Sequence, residues 1–119
     1  MSSKIRPGLL VISGRSGTIE PAGSASRKST LKFGTFVMGL ALSADETDIV
    51  VSLLYAGRVL VIDPRGRLLR SIGKRGGGPG ELLVPSALAV LADGTVAVAD
   101  LGRGAFSLFN ADGTFRYNL

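Results

Sequence analysis

The sequence predicts an all-β fold: two four-stranded antiparallel blades of a β-propeller, short of a closed ring. Three observations carry that prediction. The first is an internal repeat. Residues 40–72, LALSADETDIVVSLLYAGRVLVIDPRGRLLRSI, are echoed by residues 88–119, LAVLADGTVAVADLGRGAFSLFNADGTFRYNL. Setting Leu40 on Leu88 aligns Ala41 with Ala89, Ala44 with Ala92 and Asp45 with Asp93. With one residue skipped near Glu46, Val51 meets Val98, Ile62 meets Phe109, Gly66 meets Gly113 and Leu68 meets Phe115. A period of about 47 residues lies in the range of four-stranded propeller blades. The second observation is turn chemistry at matching points of both copies, and the third is the lack of any sustained helical period.

Taken in order, residues 1–35 fit the repeat poorly and form a lead-in. A first blade follows at 36–75 and a second at 76–119. In the lead-in, Gly8–Ser13 and Thr18–Pro21 are expected as short strands with Arg15-Ser16-Gly17 as their turn. Pro21–Thr30, PAGSASRKST, has the composition of a loop. Gly14-Arg15-Ser16-Gly17-Thr18 lacks the Gly-Lys-Ser/Thr ending and the following helix of a phosphate loop, so a hairpin turn is the better reading.

In the first blade the expected strands are Phe36–Leu42, Asp48–Leu53, Arg58–Asp63 and Arg67–Ile72, with Asp45–Thr47 turning between the first two. Asp63-Pro64-Arg65-Gly66 has aspartate, proline and glycine where a type I turn wants them. The linker Gly73–Pro85, GKRGGGPGELLVP, then crosses to the next sheet, with Gly78, Pro79 and Gly80 as its turn residues. Backbone amides in such a loop can hold an anion, but no helix follows and Pro79 has no amide hydrogen. In the second blade the strands are Ser86–Leu91, Thr95–Asp100, Ala105–Phe109 and Thr114–Leu119. Its turns are Ala92-Asp93-Gly94 and Asn110-Ala111-Asp112-Gly113, where Asp-Gly accepts positive φ at low cost.

The second strands, IVVS and VAVA, are apolar on both faces, as strands sandwiched between neighbouring sheets would be. The fourth strand of the first blade alternates, Leu68, Arg70 and Ile72 against Arg67, Leu69 and Ser71, which suits an outer strand with one wetter face. Leucine and alanine give residues 81–92 some helix propensity. Pro85 in the middle argues against a helix there.

Composition narrows the chemistry. The chain has 119 residues, 45% of them apolar, with a mean hydropathy of +0.36. It has neither cysteine nor histidine. Disulfides and thiolate metal sites are therefore excluded, as are the commonest general base and the commonest transition-metal ligand. The longest apolar run, Phe36–Leu42, falls far below the roughly 20 residues that span a bilayer, so no membrane helix is expected. The apolar patch Leu9–Ile12 is also too short for the core of a secretory signal. The chain as written is expected in the cytoplasm, and in the periplasm or outside the cell if its true start lies upstream.

Gly77-Gly78-Pro79-Gly80-Glu81-Leu82, Pro85, Leu88-Ala89-Val90, Asp93-Gly94, Val96-Ala97-Val98-Ala99-Asp100, Phe109 and Asp112-Gly113-Thr114-Phe115 together resemble an NHL repeat. More narrowly, the chain resembles bacterial six-bladed β-propeller proteins, in which an Arg-Gly-x-Gly-Pro-Gly-Glu linker is frequent. Here that linker is Arg75-Gly76-Gly77-Gly78-Pro79-Gly80-Glu81. The resemblance covers about residues 36–119. Two departures stand out. The Asp-x-x-Asn-x-Arg-Ile segment of the family is Asp100-Leu101-Gly102-Arg103-Gly104-Ala105-Phe106 here, without its asparagine and its arginine. The chain also carries two blades where whole members carry six.

The expected function is a non-enzymatic binding or interaction scaffold, a fragment or a subunit that needs partners. Two blades leave an apolar face uncovered, which invites a protein partner or self-association. The alternative is single-stranded RNA binding, which the resemblance implies because some NHL propellers bind RNA on a positive face. Net charge is +5 and the pI about 10.2. Candidate anion or nucleic-acid contacts are Arg65, Arg67, Arg70, Lys74 and Arg75, with Arg27, Lys28 and Lys32 as a second basic group. Stacking platforms need exposed rings, and Phe33, Phe36, Tyr55, Phe106, Phe109, Phe115 and Tyr117 fall mostly at core-like strand positions. A third reading is a fragment of a propeller lyase or lactonase, whose metal ligands the resemblance draws from several blades. Asp45-Glu46-x-Asp48 lacks the ligand count and glycine of a dedicated calcium loop, and no cofactor is expected.

Overall fold

The computed structural model describes residues 37–119 in full and, before them, the backbone of three short strands. These are β1 (Leu10–Ser13), β2 (Thr18–Pro21) and β3 (Leu31–Lys32), an antiparallel sheet in the order β1-β2-β3. Val11 lies opposite Glu20 and Ile19 opposite Leu31. The two expected lead-in strands are thus present. Nothing in the sequence signals β3, because a two-residue pairing has no periodicity to read. The expected turn at Arg15-Ser16-Gly17, the glycine loop from Gly14, most of the Pro21–Thr30 loop and the strand start at Phe36 lie outside the described residues.

Two four-stranded antiparallel sheets follow, each a meander in sequence order. The first holds β4 (Val37–Leu42), β5 (Ile49–Leu53), β6 (Arg58–Ile62) and β7 (Leu68–Ile72). The second holds β8 (Pro85–Val90), β9 (Val96–Asp100), β10 (Ala105–Phe109) and β11 (Phe115–Asn118). Every blade strand lies within one residue of its expected start and end. Residues 81–92 carry strand β8 and no helix. Among the described residues no helix is long and apolar enough to cross a membrane.

The register repeats as the sequence does. Leu40 pairs with Val51 and Leu88 with Val98. A β-bulge falls between Val61 and Ile62 on β6, and another at the equivalent Leu108 and Phe109 on β10. Such bulges sharpen the local twist, so each outer strand swings away at the same point. On β7 both faces are open to solvent: Leu68 and Leu69 are exposed, and only Ile72 is buried. The clean alternation expected of β7 is therefore not observed.

Turn residues act as read. In both Asp63–Gly66 and Asn110–Gly113 the last N–H donates to the first carbonyl at 2.9 Å. Gly66 and Gly113 take φ of 88° and 93°, a region glycine enters without penalty. At the β8–β9 turn Gly94 does the same, but its counterpart in the β4–β5 turn is Glu46, with φ 62°. The first copy is also one residue longer there, so its turn accommodates both the insertion and the strained residue.

One apolar core joins the blades. Val50, Val59, Val61 and Ile72 of the first blade pack with Val96, Val98 and Phe109 of the second, and Leu82 of the linker is inserted between them. The contact is closest where β4 runs beside β8. A Cβ on Gly39 would collide with the Ser86 carbonyl and the Ser52 hydroxyl. The buried Ser52 hydroxyl donates to that same carbonyl. The opposite face of the first blade buries a second cluster, Val51, Leu53, Leu60 and Ile62.

Two predictions follow from this packing. Gly39→Val forces the inner strands apart and should cost about 2 kcal/mol or more. Ala87→Gly at the equivalent place on β8 should cost under about 1 kcal/mol; urea denaturation of both variants reads the difference. The second concerns acid. Burial pushes the Asp63 carboxyl up, but the backbone N–H and guanidinium of Arg67 and the N–H of Arg65 outweigh it and hold it low. Hydrogen bonds from Thr95 and Thr114 hold Asp93 and Asp112 low as well. A carboxylate depressed in the fold contributes stability above its unfolded value of about 3.9 and loses it as pH falls through the folded value. The urea midpoint should thus hold down to about pH 5 and decline steadily below about pH 4. A midpoint unchanged near pH 3 would contradict the role of these turns.

Candidate functional site

The linker and the β9–β10 turn are knotted by Asp100. Its side chain is buried and accepts the N–H groups of Leu83, Val84 and Gly102 at 2.8–3.1 Å. Arg103 lies beside it, with Nε 3.7 Å from the carboxylate. From there the guanidinium donates to the carbonyls of Gly78 and Glu81, each at 3.1 Å. Glu81 in turn accepts the Gly78 N–H at 2.9 Å and faces the Lys74 ammonium at 3.6 Å. Arg103 therefore ties the glycine-rich linker down. Sequence reasoning treated this position as a loss and missed the tie. In the first blade the equivalent of Asp100 is Leu53, which joins the apolar cluster instead.

The linker amides are engaged internally: Gly76 donates to the Leu82 carbonyl and Gly78 to Glu81. Arg65 and Arg67 sit on the β6–β7 turn, Arg70 on β7, and Lys74 and Arg75 on the linker. Four of the five already bond within the chain. Arg67 pairs with Asp63 at 3.0 Å, Arg70 donates to the Ala111 carbonyl at 2.9 Å, Lys74 faces Glu81, and Arg75 donates to the Tyr55 carbonyl at 2.7 Å. Arg65 is exposed. Arg70 and Arg75 act as rivets, one between the blades and one between the linker and the β5–β6 turn. The side chain of Lys32, like Arg27 and Lys28, lies outside the described residues.

The acidic groups converge less. A cleft of about 340 Å³ opens between the blades at the end carrying the β4–β5 and β8–β9 turns. Val50 and Val96 are among its apolar lining, and Asp45, Asp48, Asp93 and Arg70 among its polar lining. Asp45 is lowered to about 2 by hydrogen bonds from Ser43 and Thr47. Its Oδ1 already accepts from both hydroxyls and from the Thr47 N–H. Among the described residues no three acidic side chains are grouped to hold a metal ion.

The surface with the least internal explanation is the face of the second blade turned away from the first. Its outer strands present Phe106, Tyr117 and Leu119, which are 49%, 46% and 75% exposed, around the buried Leu108. Its inner strands present Ala87, Ala89, Ala97 and Ala99, none of them buried. Register places Ala97 opposite Leu108, Ala99 opposite Phe106 and Leu108 opposite Tyr117. Register and the bulge between Leu108 and Phe109 put Phe106 and Tyr117 on this face and Phe109 and Phe115 in the core, where their rings meet edge-on at 5.7 Å. The expectation that most rings occupy core-like positions fails for Phe106, Tyr117 and the exposed Tyr55. Alternation along β10 could have found Phe106, which has the opposite parity to Phe109, but not Tyr117, which shares the parity of Phe115.

No protein-family model matches the chain, and no curated protein sequence matches it. Solved structures do. Catalytically inactive virginiamycin B lyase from Staphylococcus aureus with quinupristin has a TM-score of 0.64 at 14% identity, over 92% of this chain and 39% of that one. A Bacteroides fragilis protein described as exported has a TM-score of 0.62 at 22% identity, over 70% of this chain and 23% of that one. Hydrazine synthase of Kuenenia stuttgartiensis has a TM-score of 0.60 at 20% identity, over 85% of this chain and 28% of that one. These neighbours include propeller proteins, and the likeness is one of fold. The chain spans well under half the length of each.

Removing the Asp100 charge tests the knot. Asp100→Asn turns a donor toward N–H groups and leaves Arg103 without its counter-charge, which should cost about 2–4 kcal/mol. Amide exchange should accelerate first at Leu83 and Val84. Unchanged exchange there would show that the linker is held by something else.

Proposed function

We propose that this chain is a non-enzymatic interaction scaffold that engages a protein partner through the open face of its second blade. The supporting observation is the pairing of exposed Phe106, Tyr117 and Leu119 with an alanine floor on a sheet whose other face packs against the first blade. Contiguous apolar surface of this kind marks association sites. Having no cysteine, the scaffold draws on no disulfide in either a reducing or an oxidising compartment. A lyase or lactonase reading has only likeness of fold behind it.

A second reading, single-stranded RNA binding, draws on the same rings. Phe106 and Tyr117 are exposed, and the Arg116 guanidinium lies 5.5 Å from the Tyr117 ring centre. Against it, four of the five candidate basic residues are already bonded within the chain.

Light scattering with an apolar dye as reporter separates these readings. At tens of micromolar the chain should self-associate or bind the dye. Phe106→Asp should weaken that association by at least about tenfold, roughly 1.4 kcal/mol, while Arg65→Glu leaves it unchanged. A dye-silent monomer would refute the scaffold. Oligonucleotide binding that falls steeply with salt would put RNA in its place.

A further inference from the structure

We infer that the cleft between the two blades binds a small aliphatic amine, its hydrocarbon laid on valines and its ammonium group on Asp48. The site lies apart from the open face of the second blade and does not rest on the reading given to that face.

Small residues leave the cleft open. Where the β4–β5 and β8–β9 turns come together, the rim is formed by Ala44, Ala92 and Gly94, with Ala111 beside them from the β10–β11 turn. None of these can close over the side chains below. Val50 and Val61 of the first blade and Val90 and Val96 of the second therefore line a cleft of about 340 Å³. That is the lower end of the range for small-molecule sites, which are mostly apolar with a few placed polar groups. On the outer side Arg70 donates to the Ala111 carbonyl at 2.9 Å and ties the blades together. On the inner side β4 runs beside β8. The cleft is bounded at both ends, so it takes a short molecule rather than an extended peptide.

Asp48 decides the charge of the occupant. It stands just before β5, on the side of Val50 and Ser52 by alternation, and lines the cleft. It is half-buried, and its carboxylate has no hydrogen bond or ion pair among the described residues. The repeat shows what is missing. The counterpart of Asp48 is Thr95, whose hydroxyl is met by the Arg116 guanidinium at 3.2 Å. In the first blade Leu69 stands where the second has Arg116. A carboxylate drawn partly out of water without a partner costs free energy, and an ammonium group would supply that partner.

The rest of the lining agrees on sign. Asp45 and Asp93 add negative charge, against the single guanidinium of Arg70, which is already bonded to Ala111. In a chain of net charge +5 this cleft is thus locally acidic. A bare metal ion does not fit it: valines offer no ligand, and among the described residues no three acidic side chains are grouped to hold one. An amine on a hydrocarbon stem matches both halves of the lining.

Titration of the full chain with n-pentylammonium, followed by amide chemical shifts, tests the site. Saturable shifts should centre on Val50, Val61 and Val96. From n-propyl to n-pentyl each added methylene should tighten binding about fourfold. Pentanoate and 1-pentanol should bind at least about tenfold more weakly than the amine. Asp48→Asn should weaken n-pentylammonium by at least about tenfold, while the thermal midpoint of the free chain holds or rises because an unpartnered charge is gone. Asp112→Asn makes the same change at the same end of the sheet, outside the lining, and should leave binding as it was.

Pentanol or pentanoate binding as tightly as the amine would overturn the inference. So would unchanged binding in Asp48→Asn, or no saturable shift at the valines. Should Asp48→Asn fail to fold, Ala92→Leu decides. Bulk at the rim should abolish amine binding, and binding that survives it places the amine elsewhere and ends the proposal.

Discussion

A sheet whose central strands are apolar on both sides has no stable existence as a single layer in water, and every feature of this chain follows from that constraint. β5 and β6 bury Val50, Val59 and Val61 on one face and Val51, Leu60 and Ile62 on the other. Each large side chain brought out of water is worth about 1.5–3 kcal/mol, so leaving either face open would remove most of the driving force. The first blade meets the demand on both sides. The second meets it on one side only. The difference between the blades lies in what covers them, since their strand order and bulges are alike.

The junction between the blades combines several kinds of interaction. Apolar burial supplies the energy, while the near contact of Gly39 with Ser86 and the Ser52 hydroxyl sets the spacing of the inner strands. Arg70 reaches the Ala111 carbonyl farther out. Behind the junction, Asp100 and Arg103 fix the linker that delivers Leu82 into the core. Several of the basic side chains that give the chain its positive charge thus hold loops to sheets. That division explains why a charge count alone is a poor guide to this surface.

Much of the fold was legible because it is written twice. Paired turns, a shared period and Pro85 were enough to place eight strands within a residue of their ends. Glu46 was legible only as a misalignment, and the structure shows it standing where the other copy has Gly94. The site was harder to read. Alternation marks which residues share a face, but it does not say which face stays open, so the rings were expected mostly at core-like positions and the exposed Phe106 and Tyr117 were not singled out. Arg103 was hidden for another reason: an arginine that holds a loop by reaching backbone carbonyls leaves no trace in residue type or spacing.

The structural neighbours share this architecture at 14–22% identity, which fits a fold governed by the pattern of small, β-branched and turn residues rather than by particular side chains. The account depends on the two blades standing or falling together across their common core. Native-state amide hydrogen exchange measures that directly. The central amides of β5 and β6 should share one opening free energy with those of β9 and β10, equal to that of global unfolding. Opening of β8–β11 at a markedly lower free energy, while β4–β7 stays closed, would contradict it.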